Sequence, residues 1–351
     1  MSKSGKYFGL ATKKLADEFD SASLDKVEFF LKGGANPNVV LFEAILKNKD
    51  TVQLLLDYGA NPNHINLQNE TVLMYACLNG RFDIVKLLLK KGAQVNATNS
   101  KNETALLYAC SGSEKPAIVK LLLENEADPD IKSSDDNSAL YTSVDLNRSD
   151  VTKLLLKYGA NPNITFEDES VLFHAIPNSE IVKMLLKAGS DPNIKSSYSG
   201  NTPLIFATVN ANVDIAELLI HFGADPNIKN NDGNSALIFA VQTSLEIARL
   251  LLKYVDPNIP GKSGNTPLMF ASFKGLYETV ELLLDKGADP LIVNDLGENS
   301  ITMANENRYI DVVNLLITYR LRNRPVISTT AGAAFKSKKI KLKSNKKKSR
   351  K

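Results

Sequence analysis

One five-residue pattern, Gly-Ala-(Asn/Asp)-Pro-Asn, returns so regularly that it governs every other reading of this chain. It stands at Gly34 to Asn38, Gly59 to Asn63 and Gly159 to Asn163. Close copies follow at Gly189 to Asn193, Gly223 to Asn227 and Gly287 to Pro290. Looser ones occur at Gly92 to Asn96, Glu126 to Asp130 and Val255 to Asn258. The polar third position falls at 36, 61, 94, 128, 161, 191, 225, 256 and 289, so the spacings are 25, 33, 34, 33, 30, 34, 31 and 33. A fixed period of this size implies small units that cannot bury an apolar face alone and must stack on one another.

Two further motifs keep the same register. About ten residues after each anchor, from the second anchor on, comes a segment such as Thr71-Val72-Leu73-Met74-Tyr75-Ala76 or Thr202-Pro203-Leu204-Ile205-Phe206-Ala207. Its opening Thr or Ser suits an N-cap, with the hydroxyl accepting from an orphan backbone N–H. Pro203 and Pro267 fall at the first helical position, where a missing N–H costs nothing. The small Ala lets helices approach closely. Next comes an apolar stripe, as in Asp83-Ile84-Val85-Lys86-Leu87-Leu88-Leu89, which predicts a second helix buried along one side. The Gly after it suits a left-handed helix stop, and Asn-Pro-Asn begins an extended turn. Each unit therefore reads as helix, turn, helix and projecting hairpin loop.

On these motifs the chain resembles the ankyrin-repeat proteins over residues 8 to 320. The resemblance implies an all-α solenoid of about ten repeats, with a degenerate N-terminal cap at about 8–34. It also implies a non-enzymatic scaffold or adaptor that binds a protein partner through the finger loops and the exposed side of the first helices. Residue by residue, that carries over to Leu78, Asn79, Phe166, Tyr198, Phe273 and Lys274, where exposed aromatics are expected to anchor the contact. The family's usual His after the motif Leu is missing. Met74, Leu107, Tyr141, Phe173, Ile205, Ile238, Met269 and Thr302 stand there, so apolar packing is expected instead. The second repeat lacks room for a finger, because Asn38 runs directly into Val39-Val40-Leu41. The sixth is cut short at Ile176-Pro177-Asn178, and the eighth loses residues between its helices and before Asp256.

Charge divides the chain. The formal total is +3, from 42 Lys and Arg against 39 Asp and Glu. Residues 321–351 hold 12 of the basic residues and no acidic one, so residues 1–320 carry 30 basic against 39 acidic residues, a net −9. The tail includes Lys336, Lys338, Lys339, Lys346, Lys347, Lys348, Arg350 and Lys351. Self-repulsion and low hydrophobicity predict disorder there. Such a run suits nuclear import or a weak polyanion contact. The alternative function is thus a nucleic-acid- or chromatin-associated protein acting through this tail. The 34 asparagines and many lysines suit an AT-rich genome, such as that of a large DNA virus or an intracellular microbe.

Little else points to chemistry. Cys77 and Cys110 share one repeat position and are expected to be small core residues, on helices too far apart for a disulfide. His64, His174 and His221 show neither metal-ligand spacing nor a triad. Pro260-Gly261-Lys262-Ser263-Gly264 looks like a phosphate loop, but Asp256 stands where a further Gly is required, and the stretch continues into a repeat helix. No cofactor and no metal are expected. No apolar run is long enough for membrane insertion and no secretory leader is visible, so an intracellular monomer, cytoplasmic or nuclear, is the expectation.

Overall fold

A computed structural model describes residues 3–112 and 116–322, with side chains from residue 9 onward. Its helices come in pairs, one pair per repeat. The first four pairs are α1 (Lys3–Glu18) with α2 (Leu24–Lys32), α3 (Leu41–Lys47) with α4 (Lys49–Asp57), α5 (Val72–Leu78) with α6 (Phe82–Lys90), and α7 (Ala105–Ser111) with α8 (Pro116–Glu124). The next four are α9 (Ala139–Asp145) with α10 (Ser149–Lys157), α11 (Val171–Ala175) with α12 (Ser179–Lys187), α13 (Pro203–Val209) with α14 (Val213–His221), and α15 (Ala236–Thr243) with α16 (Leu245–Leu251). The last two are α17 (Pro267–Phe273) with α18 (Tyr277–Asp285) and α19 (Ser300–Glu306) with α20 (Ile310–Arg322). The chain forms two compact units that divide between Asp256 and Pro257, the first holding α1–α16 and the second α17–α20. Within the first unit, first helices stack on first helices, as α5 on α7 and α13 on α15, and second helices stack likewise. In the second unit α17 packs on α19 and α18 on α20.

The caps form as the sequence implies. Thr71, Thr104, Ser138, Thr202 and Thr266 each accept, through the side-chain oxygen, from the backbone N–H three residues on, at 3.1–3.3 Å. Ser235 makes no such bond, and at the last repeat Asn299 fills the role, accepting from Ile301 and Thr302. Where the family's His is absent, Met74, Ile205 and Met269 are fully buried. The Met sulfurs also accept from the cap N–H groups of Thr71 (3.4 Å) and Thr266 (3.3 Å). The replacement is therefore partly polar, with a weak sulfur acceptor in place of an imidazole. Thr302 departs from apolar packing altogether. It is exposed, and its hydroxyl accepts from Asn299 N–H at 2.9 Å.

The second helices stop as anticipated. Gly159 takes φ 90°, while Ala160 N–H donates to Leu155 O at 3.0 Å and Gly159 N–H to Leu156 O at 3.3 Å. Glu126 adopts the same left-handed conformation, at φ 66°, without a glycine's freedom. In the second repeat a short 3₁₀ turn, Pro37–Val40, leads directly into α3, so its finger is absent. In the sixth, α11 has only five residues, since Pro177 has no N–H with which to continue the helix.

The anchor does more than end a helix. Its third residue folds back in an Asx turn, and its last Asn reaches to the next repeat. Asn61 Oδ1 accepts from Asn63 N–H (2.9 Å). Asn63 Oδ1 accepts from Gln94 N–H (2.7 Å), and its Nδ2 donates to Gly92 O (3.2 Å). The same rungs recur from Asn96 to Asp128, Asn163 to Asp191 and Asn193 to Asp225, and within the second unit from Asn258 to Asp289. Five of the asparagines thus form an inter-repeat hydrogen-bond ladder. Two arginines add a second tie. Arg81 donates to the carbonyls of Ile45, Leu46 and Lys47 at the end of α3, and Arg148 to Cys110 O and Gly112 O (both 2.7 Å) after α7. These carbonyls have no partner within their own helices.

Candidate functional site

The fingers and the sides of the first helices that face them form the surface of interest. The fingers are held by short-range polar bonds rather than long ladders. Asn66 Oδ1 accepts from Gln68 and Glu70 N–H, and Asn99 repeats the arrangement with Lys101 and Glu103. Adjacent fingers connect through Ser100 N–H to Gln68 O (3.2 Å) and Ser134 N–H to Lys101 O (2.7 Å). The sixth repeat carries a true two-strand finger, β1 (Thr165–Phe166) against β2 (Glu169–Ser170). Its turn residues Glu167 and Asp168 both take positive φ (48° and 63°), the geometry that matches hairpin twist.

Along the first helices of the first unit runs a row of half-buried side chains, one per repeat from the third to the eighth: Tyr75, Tyr108, Thr142, His174, Phe206 and Phe239. Each sits four residues after the cap. The second unit continues the position with Phe270 and Met303. Phe42 packs edge-on to Tyr75 at 5.5 Å, and Phe173 lies 5.3 Å from Phe206. Sequence reasoning passed over this row because it read the motif as cap and packing. The signal was present in the constant four-residue offset of an aromatic from each Thr.

The residues expected from the sequence fall in different settings. Leu78 is 43% exposed at the end of α5 and borders a groove of about 410 Å³ formed with α7 and α9. Asn79 follows it, and its amide donates to Tyr75 O (2.8 Å), so it also caps the helix. Phe166 is not a free anchor. Its ring stacks flat on Tyr141 at 3.9 Å and meets the edge of His174 at 6.1 Å, so the finger keeps it half-buried. Tyr198 is 74% exposed, with its hydroxyl 3.4 Å from Glu167 O, so it leans towards the same finger. Phe273, half-exposed at the end of α17, and the exposed Lys274 beside it belong to the second unit. The tail residues Lys336, Lys338, Lys339, Lys346, Lys347, Lys348, Arg350 and Lys351 lie outside the described residues.

The groove of the first unit is acidic and phenolic. Tyr108 donates to Glu70 Oε1 (2.5 Å) and lies 3.2 Å from Glu103 Oε2. Burial, then these carboxylates, push its phenol well above the usual tyrosine range. Burial, then Asp145 and Glu167, also raises the Tyr141 phenol. The Tyr108 hydroxyl therefore stays protonated as a donor. No Lys, Arg or His is among the residues lining the groove.

The weaker candidates take structural places. Cys77 and Cys110 are free and fully buried, with burial raising the Cys110 thiol to about 12 and the Cys77 thiol likewise upward. In the phosphate-loop look-alike, Gly261 N–H donates to Asn265 O (2.8 Å), Ser263 is left-handed (φ 56°), and Ser263 O accepts from the next finger at Asp295 N–H (3.1 Å). The backbone donor a phosphate would need at Gly261 is engaged. Among the described residues no group of three or more His, Cys, Asp or Glu is arranged to hold a metal, and no helix is long and apolar enough to cross a membrane.

No curated protein matches the chain. A family model for ankyrin repeats, three copies long, matches residues 18–99, 96–166, 163–230, 219–294 and 256–326. With the paired helices, the αL stops and the fingers in register, these spans show that the chain belongs to the ankyrin-repeat family.

Proposed function

We propose that the chain is a non-enzymatic adaptor that grips a protein partner by its fingers and first helices. Ankyrin repeats are in general protein-interaction modules, and the family is typically non-enzymatic. The observation that carries the reading is the exposure of Leu78 and Tyr198 in the first unit and of Phe273 in the second, large side chains that no packing in their own repeats requires. Phe166 acts here as a support for Tyr141 and not as an anchor. The protein works as an intracellular monomer without cofactor or metal. Leu78→Ala, Tyr198→Ala and Phe273→Ala together should abolish partner capture from cell extract while leaving thermal unfolding unchanged, because anchors of this type carry about 2 kcal/mol or more each. Capture at the wild-type level would refute the placement.

The basic composition of residues 321–351 supports a second role, delivery of the complex to the nucleus or to a polyanion. Deleting residues 336–351 from a tagged protein should lower its nuclear signal. An unchanged distribution would remove the import role. A nucleic-acid-associated protein would instead show binding that falls steeply with salt and vanishes with the tail.

A further inference from the structure

The groove beside Leu78 has a chemistry of its own. Its floor is Leu107, Tyr108 and Tyr141, its rims are Leu78 and Leu146, and Glu103 and Asp145 supply its charge. Glu103 is held in place, since its Oε2 accepts from Asn99 Nδ2 at 2.7 Å as well as lying near the Tyr108 hydroxyl. Glu70 stands behind that hydroxyl as a third carboxylate. Two cations of the neighbouring segments are engaged elsewhere. Lys132 pairs with Asp136 at 2.8 Å, and Arg148 is bound to the carbonyls of Cys110 and Gly112. Among the described residues the lining thus holds two carboxylates, one of them fixed, and no cation, next to two tyrosine rings and two half-exposed leucines.

A neutral or acidic side chain gains little there. An arginine or lysine gains on each count: its alkyl stem lies on the leucines and the half-buried Tyr108 ring, and its cationic head meets the carboxylates. A space of about 410 Å³ is near the lower end of ligand pockets. It suits one or two side chains of an extended segment rather than a folded domain.

Building on the adaptor reading, we propose that the α5–α7–α9 groove selects a basic extended segment of the partner protein and seats an arginine or lysine between Glu103 and Asp145. The pairing sets specificity and register, while the exposed apolar anchors supply most of the affinity.

The test uses the full chain and a fluorescein-labelled twelve-residue peptide with four arginines spaced by glycine and alanine, followed by anisotropy. A matched peptide with citrulline at each arginine keeps the shape and removes the charge. The arginine peptide should bind at least tenfold more tightly. Asp145→Asn, on an exposed side chain, should weaken it at least threefold. Asp214→Asn, an exposed carboxylate on the second helix α14, should leave it unchanged. Equal binding of the citrulline peptide, or equal weakening by the two substitutions, would overturn the proposal, since only the general negative field of the body would then be at work. Loss of partner capture in the Leu78, Tyr198 and Phe273 variant, with peptide binding indifferent to Asp145→Asn, would retain the adaptor reading and reject the basic segment. Failure of both experiments would reject the adaptor reading as well. A concentration-dependent dimer of the full chain that Asp145→Asn abolishes would assign the groove to the chain's own lysine-rich residues 336–351, and that too would overturn assignment to a partner.

Discussion

Asn163→Ala tests the inter-repeat ladder most directly. The side chain accepts from Asp191 N–H at 2.9 Å and donates to Gly189 O at 3.2 Å, so it closes two bonds between the anchor before α11 and the anchor before α13. A net 0.5–1.5 kcal/mol per bond, reduced because the site is exposed and water can replace part of each, gives a loss of roughly 1–2 kcal/mol. Asn38 offers an internal scale. It makes one such bond, accepting from Asn61 N–H at 2.8 Å, while its amide stays within its own anchor. Asn38→Ala should therefore cost about half as much. A stacked array need not unfold in one step, so urea titration of the helical signal is best paired with hydrogen exchange at Asp191 N–H, where the opening is local. Exchange there should accelerate about tenfold in Asn163→Ala and stay near wild type in Asn38→Ala. Equal losses for the two variants, or unchanged exchange at Asp191, would mean that the rungs follow from helix stacking and add no stability of their own.

Three other outcomes follow from individual sites. Glu126→Gly should stabilise by up to about 1 kcal/mol, because the left-handed backbone at φ 66° strains a side chain and suits glycine; a lower urea midpoint would refute this. Leu284 and Ile317 occupy one repeat position, but Leu284 is 1% exposed and Ile317 40%, with no described second helix beyond α20 to cover it. Leu284→Ala should cost about 2–5 kcal/mol in thermal or urea unfolding and Ile317→Ala less than about 1. Cys110 links stability to alkaline pH. Its folded pKa of about 12 lies above the unfolded thiol's roughly 8.5, so the native state holds the proton longer; this contribution is fully present below about pH 8.5 and is lost as pH rises towards 12. Between pH 8 and 10 the urea midpoint should fall less in Cys110→Ala than in wild type, and in wild type at pH 8 a thiol reagent should label Cys110 only after unfolding.

The fold was legible because its information is local and repeated. Thr202 caps, Pro203 starts, Ala207 packs and Gly223 stops, each through backbone chemistry that a short window of sequence contains. The candidate site was less legible. Leu78 and Tyr198 were carried over from the family's binding surface, and both are exposed. Phe166 was chosen on the same ground, yet it is covered by Tyr141, a residue 25 positions earlier. Tyr108 was read as part of a helix motif, although its hydroxyl joins carboxylates of two separate fingers.

Sequence alone determined the number of repeats, the helix ends and the division of charge between body and tail, since propensity, capping and charge count act over a few residues. Tertiary structure decided which apolar side chains remain exposed, which asparagines bridge repeats, and which carboxylates line one groove. Those properties depend on neighbours brought together by stacking, about thirty residues apart in the chain, and no local pattern specifies which of two identical side chains will find its partner there.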